Sequence, residues 1–306
     1  MSFLGTRVHL ITGKGGVGRT TVSVGLALAA AARGKRVLIS EVGDPEGGYS
    51  AVGRHFGLEA LGHKPQAVAP GIDACHLWGR TGHELFGRSI IPAGPLISAA
   101  LRSRALQGFM MATPGVYELG IFYHLLQLLE AKGDDGRLRH DFVIVDMPAT
   151  GHAMALAKLP ATVLGLMPRG PIADAMRRGQ GVLYSANHTA AWVVTLPERL
   201  PVSESLELLE GLHATSVPVG GAILNRVQTD PFDVAERKAL DAFVESSPVM
   251  GQVAFGRVDK SKAEIERLEQ STDQRVVHLP EILELRDRDI CRGVSAALLE
   301  HEAAAS

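Results

Sequence analysis

Hydrophobic positions along this chain follow two rhythms: short unbroken apolar runs, and longer stretches with apolar residues at helical spacing. The runs at residues 8–11, 36–40 (RVLIS), 141–145 (DFVIV), 191–196, 219–224, 249–255 and 276–279 predict strands, since runs this short and continuous suit strands buried on both faces. Helices are expected over residues 20–33, 116–132, 202–213, 234–245, 262–269 and 287–300. The clearest is 116–132, where Leu119, Phe122, Tyr123, Leu126 and Leu129 recur at helical spacing. Seven or eight strands alternating with crossover helices predict an α/β fold, a doubly wound and mostly parallel sheet. Between Gly53 and Gly133 the rhythm changes. A short apolar segment at 72–78 leads into helical stretches broken at Pro92, Pro95 and Pro114, and residues 160–188 form a second helical portion interrupted by Pro and Gly. The expected organisation is one domain over 1–306 with helical insertions at about 78–133 and 160–188, the first an inserted helical lobe.

Composition narrows the functions. A length of 306 residues allows a full core, and a net charge of −2 provides no global field for nucleic acid or anionic lipid. The two cysteines, Cys75 and Cys291, form no C-x-x-C pair, which fits a reducing cytoplasm and offers neither a zinc clip nor a disulfide framework. No signal sequence is read at the N-terminus, and the longest apolar run is too short to span a bilayer, so a soluble cytoplasmic chain is expected. Cys291 lies on the apolar side of the terminal helix with Val294 and Leu298 and reads as core. Arg169, Arg177 and Arg178 read as a solvated face, and Phe109, Met110 and Met111 as lobe packing, with a client groove as the alternative.

The chemistry concentrates at Leu10–Thr21, LITGKGGVGRTT. A strand runs into a glycine-rich turn and then an Ala/Leu helix, so backbone N–H groups and the positive helix end converge on an anion. The phosphate-loop pattern G-x-x-x-x-G-K-[ST] is met at Gly13, Gly18 and Thr20, but Arg19 replaces the lysine and an additional Lys14 sits inside the loop. Asp146, closing a hydrophobic strand, is the expected partner of Mg²⁺, with a simple loop-capping acid as the alternative.

GKGGVGRT resembles the deviant Walker A loop of dimeric P-loop ATPases of the SIMIBI type. DMPATGH at Asp146–His152, TPGVYEL at Thr113–Leu119 and the segment from Val194 to Val227 with its Asn-bearing loop resemble the arsenite-pump and tail-anchored-protein-targeting family, called the ArsA/GET family. The resemblance spans nearly the whole chain. It implies that Gly13, Lys14, Gly15, Gly16, Val17, Gly18, Arg19, Thr20 and Thr21 hold the phosphates of ATP or ADP. It also implies that Thr20 and Asp146 serve Mg²⁺, and that Asn225, with Arg226 beside it, contacts the adenine. Lys14 would reach the nucleotide of a partner subunit, and Thr150–His152 would move with nucleotide state. Lys14, Asp44 and Asp146 are the implied catalytic set, although Asp44 lies one residue past the family's register, where Gly43 stands.

The family's three-thiolate arsenite site and its zinc clip are absent from the sequence. The expected function is a dimeric ATP-hydrolysing switch, homodimeric or paired with a paralogous ATPase. It would act on a hydrophobic client or a membrane-associated assembly, and not on nucleic acid. The alternative is an ATP-binding, weakly hydrolysing regulatory or scaffold subunit, motivated by Arg19 and by the register of Asp44. Arginine keeps the positive charge of lysine but changes its geometry.

Overall fold

The computed structural model describes residues 3–43, 47–90, 115–148, 150–246 and 251–304. Its centre is an eight-stranded sheet in the order β3-β4-β2-β5-β1-β6-β7-β8. The strands are β1 (Val8–Gly13), β2 (Val37–Val42), β3 (Gln66–Ala69), β4 (Ile72–Leu77), β5 (Phe142–Asp146), β6 (Thr189–Thr195), β7 (Val219–Val227) and β8 (Val276–Pro280). All neighbours run parallel except β3, which pairs antiparallel with β4 at the edge. The α/β reading of the sequence therefore holds, and the chain winds outward in both directions from β1.

Alternation within strands builds a core on each face. In β5, Phe142 and Ile144 join Val22, Leu26, Val294 and Leu298 of α1 (Arg19–Ala32) and α10 (Asp287–Ala304) on one face. Val143 and Val145 point the other way, toward Phe122, Leu126 and Leu129 of α4 (Val116–Glu130). Further along that second face, Val193 and Leu224 pack with Leu208, Leu209 and Leu212 of α7 (Arg199–His213). Cys291 is buried in the first cluster, and burial raises its thiol pKa to about 12, in keeping with a core role.

Two expectations are corrected. The apolar run 249–255 does not form a strand where it is described: residues 251–255 open α9 (Gly251–Ser271), which comes after α8 (Val234–Ser246). Short apolar runs fit either state, and here the charged, strand-poor stretch beyond Phe255 carries the helix on to Ile265 and Leu268, which pack on the sheet. The missing strands lie instead at β3 and β4, before the helical lobe. Nor does the second helical portion begin at Pro160. That proline sits inside α5 (Thr150–Leu166), where a missing N–H costs one internal hydrogen bond, and the break comes before α6 (Pro171–Leu183), which places Pro171 in its first turn.

The described part of the lobe consists of α3 (Gly79–Ile90) and α4. The two helices approach so closely that a Cβ at Gly120 would meet the backbone carbonyl of Gly79 and one at Gly82 that of Gly120, which explains glycine at 82 and 120. Phe109, Met110 and Met111 lie outside the described residues. Arg177 pairs with Asp174 at 3.0 Å and Arg178 with Glu130 at 2.9 Å, all four side chains being exposed, as a solvated face requires. Among the described residues no helix is long and apolar enough to cross a membrane.

Candidate functional site

The carboxyl ends of β5, β1 and β6 meet where the winding reverses, the place in an open α/β sheet where ligands bind. β1 delivers the glycine-rich loop to this point, and α1 leaves from it. Gly18 caps α1 with a left-handed φ of 91° and no side-chain hydrogen bond, and the first turn of α1 carries no acid. The helix N-terminus is left positive, with N–H groups available to an anion. A Cβ on Gly18 would collide with the Asn225 amide. Gly18→Ala is therefore expected to cost about 1–3 kcal/mol, from backbone strain and from displacing Asn225; urea unfolding of the nucleotide-free protein measures it.

Asp146 ends β5 directly beside this loop and is 6 % exposed. Its carboxylate accepts hydrogen bonds from Thr20 Oγ1 at 2.7 Å and Ser23 Oγ at 3.4 Å, both on α1. Desolvation raises its pKa to about 6. The Thr20 hydroxyl and the nearby Arg19 charge oppose the shift, and Glu41 adds to it. A buried acid whose charged form is penalised by burial, with a hydroxyl in contact, is suited to a cation that would favour that charged form. Sequence reasoning alone misses Ser23, although its position three residues after Thr20 on a helix places both hydroxyls on one face.

Arg19 does not reach into the loop. Its guanidinium donates to the carbonyl of Met147, the residue after Asp146. The loop-lysine position is thereby tied to the start of the MPATGH segment, from which α5 begins at Thr150.

A family model described as anion-transporting ATPase, ArsA type, matches residues 6–170, more than half of the chain. This chain belongs to that family. Among relatives, the ATPase BagA of Mycobacterium tuberculosis is 27 % identical over 90 % of this chain and 81 % of its own length. The ATPase get3 of Botryotinia fuckeliana is 26 % identical over 69 % of the chain and 57 % of its own. The arsenical pump-driving ATPase of Escherichia coli is 30 % identical over 52 % of the chain and 26 % of its own.

The remaining expected site residues of this ArsA-family chain surround the loop at differing distances. Lys14 projects from the loop, and its ammonium pairs with Glu204 on α7, the two side chains being 47 % and 26 % exposed. Asn225 is buried near the end of β7, where its amide Nδ2 donates to the Val17 carbonyl at 2.9 Å, bracing the loop from the side. Arg226 comes next with a left-handed φ of 57°, uncommon for a residue with a long side chain. Asp44 lies outside the described residues. At Gly43, where the resemblance implied an acid, a Cβ would lie 3.0 Å from His76 Nδ1 and 3.1 Å from its Cε1, so the imidazole crowds that position. Glu41, in register with Asp146 across the sheet, is engaged elsewhere. It accepts from Ser50 Oγ at 2.6 Å and from the Ala51 and Val52 amides at 3.0 and 3.1 Å, capping α2 (Ala51–His55).

Proposed function

We propose that this ArsA-family chain is an ATP-hydrolysing switch whose two subunits close over nucleotide and reopen after hydrolysis. The observation that carries the proposal is the buried Thr20–Asp146 pair at the foot of an uncapped, positive helix end. In this reading the amides of the Gly13–Thr21 loop bind the phosphates, with Thr21 toward the α-phosphate. Asn225 and Arg226 contact the base, and Lys14 serves the partner's nucleotide.

Thr20 and Asp146 fit Mg²⁺, since a hard cation prefers oxygen ligands and offsets the desolvation that raises Asp146. Bound there, Mg²⁺ would neutralise phosphate charge. The chain's own residues would orient the nucleotide, exclude water at the buried carboxylate, and pass the state of the site along MPATGH through Arg19 and Met147. A change in that segment is the kind of order-and-contact difference that lets a nucleotide alter a remote surface for a client. The reading keeps the chain in the cytoplasm, as a homodimer or paired with a paralogue.

A second reading, a slow ATP-binding regulatory subunit, is supported by the engagement of Arg19 with the Met147 carbonyl and by the crowding of Gly43 by His76. The purified protein, with Mg²⁺ and ATP, decides between them. Sustained turnover that depends on Mg²⁺, together with dimer formation on a non-hydrolysable analogue, supports the switch. Binding and dimer formation without turnover support the slow subunit, and failure to bind ATP overturns both. Arg19→Lys is expected to raise turnover about tenfold, part of the 10²–10³ that one well-placed donor contributes to a transition state.

A further inference from the structure

Beyond Arg226, on the side away from Thr21, lies a second cavity of about 630 Å³, within the usual range for small-molecule sites. Four cations line it: Arg199 at the start of α7, Arg226 at the end of β7, and Arg257 and Lys260 on α9. Among the described residues none of these four side chains makes an ion pair or hydrogen bond, although carboxylates are close by. Two of those carboxylates are already engaged, Glu264 with Arg267 at 2.6 Å and Glu281 with the Gln228 amide at 2.8 Å. Between Lys260 and Glu264 on the same helix face, Ser261 lines the cavity with only 6 % of its surface exposed, and its hydroxyl has no hydrogen-bond partner.

These features belong together physically. Residues 257, 260 and 264 recur at helical spacing, so α9 presents two cations and a carboxylate along one stripe. Opposite them, Arg226 holds a left-handed backbone, the kind of outlier that points to a constrained role. Unpaired guanidinium groups are suited to bidentate contact with phosphate. Carboxylates at the rim, Glu198 among them, accept from hydroxyl groups and disfavour a ligand that is anionic throughout.

We propose that this cavity binds an organic phosphate bearing free hydroxyl groups, at a site separate from the phosphate loop. Its phosphates meet Arg199, Arg257 and Lys260; its hydroxyls meet the carboxylates of Glu198, Glu264 and Glu281. A neighbouring cavity of about 240 Å³ holds Thr21 and Asn225 and shares Arg226 and Glu281 with this one, so the two sites are divided by a common wall.

The test uses the full chain saturated with Mg²⁺ and a non-hydrolysable ATP analogue, titrated calorimetrically with fructose 1,6-bisphosphate. Saturable binding is expected at one per chain, weakened at least tenfold in the double variant Arg257→Ala/Lys260→Ala, which alters only exposed groups. Arg199→Ala, in a separate preparation, is expected to weaken binding severalfold. Thr20→Ala, titrated without the analogue, is expected to bind the sugar phosphate as the unaltered chain does. Binding seen only when the phosphate loop is empty assigns the probe to that loop and overturns the proposal. Absence of saturable binding, or equal binding of citrate, overturns it as well. Each of these outcomes is separate from whether ATP binds at Thr20, so failure here leaves the switch reading standing.

Discussion

Asp146→Asn is expected to separate the fold from the nucleotide cycle. In the nucleotide-free chain the carboxyl titrates at about 6, against about 3.9 for an unfolded Asp. The folded state therefore holds a proton that the unfolded state has lost between roughly pH 4 and 6, and stability falls as pH rises through that window. A shift of about two units corresponds to roughly 3 kcal/mol, fully felt above pH 6 and absent below pH 4. Asparagine keeps the shape and can accept from Thr20 without bearing charge. The variant should be more stable than the unaltered chain at pH 7.5 by ~1–3 kcal/mol, with the difference vanishing toward pH 4. Urea unfolding of both proteins across pH 4–8 measures it.

With Mg²⁺ and ATP the order reverses. Ligand at a hundred times its Kd stabilises a protein by about 2.7 kcal/mol, and the variant should lose most of that gain because the metal has lost its charged ligand. Turnover should fall about 10²–10³-fold. A variant that gains as much from Mg²⁺ and ATP as the unaltered chain would remove Asp146 from the metal site.

The parts of this molecule that are legible in sequence are those where one local pattern settles the outcome. β1, the loop and α1 are contiguous, and an apolar strand running into Gly-rich residues and then Ala-rich helix leaves few alternatives. Asp146 is legible for the same reason, as the acid that ends an unbroken apolar run. The β3–β4 hairpin is not, because Gln66 and Ala67 are exposed on an edge strand and supply no buried alternation. Residues 251–255 pass for a strand because apolar runs of that length satisfy either state; the charged turns beyond Phe255 decide that a helix absorbs them. Pro160 reads as a helix start only while its surroundings are unknown; in α5 it is flanked by Leu159, which packs into the core.

In the site, local motifs are legible and long-range partners are not. Nothing near Lys14 in sequence points to Glu204, which is 190 positions away. The crowding of Gly43 by His76 depends on the pairing of β2 with β4, a strand that the sequence pattern leaves unassigned. The register difference at Asp44 can be seen in the sequence, but the imidazole that crowds Gly43 cannot.

The Lys14–Glu204 pair leads to the second large effect. Both side chains are partly exposed, and an ion pair of that kind is worth at most about 1 kcal/mol. It is strong enough to hold Lys14 against its own chain and weak enough for a partner's phosphates to displace it. Glu204→Gln should therefore tighten analogue-dependent dimer formation by up to about fivefold per chain, about 25-fold in the dimer constant, read by sizing across protein concentrations. Lys14→Ala should reduce turnover about 10²–10³-fold with little loss of ATP affinity. Mixing distinguishes a shared site from a separate one. Lys14→Ala chains retain an intact Thr20 but lack the reaching lysine, whereas Thr20→Ala chains retain the lysine but lack the metal-binding hydroxyl. In a symmetric dimer, equal mixing produces mixed pairs in about half the molecules, each with one complete site, so about a quarter of full activity should return. If no activity returns at any ratio, Lys14 acts within its own chain, and Glu204 is then a partner to be displaced during each cycle instead of a latch released by dimer formation.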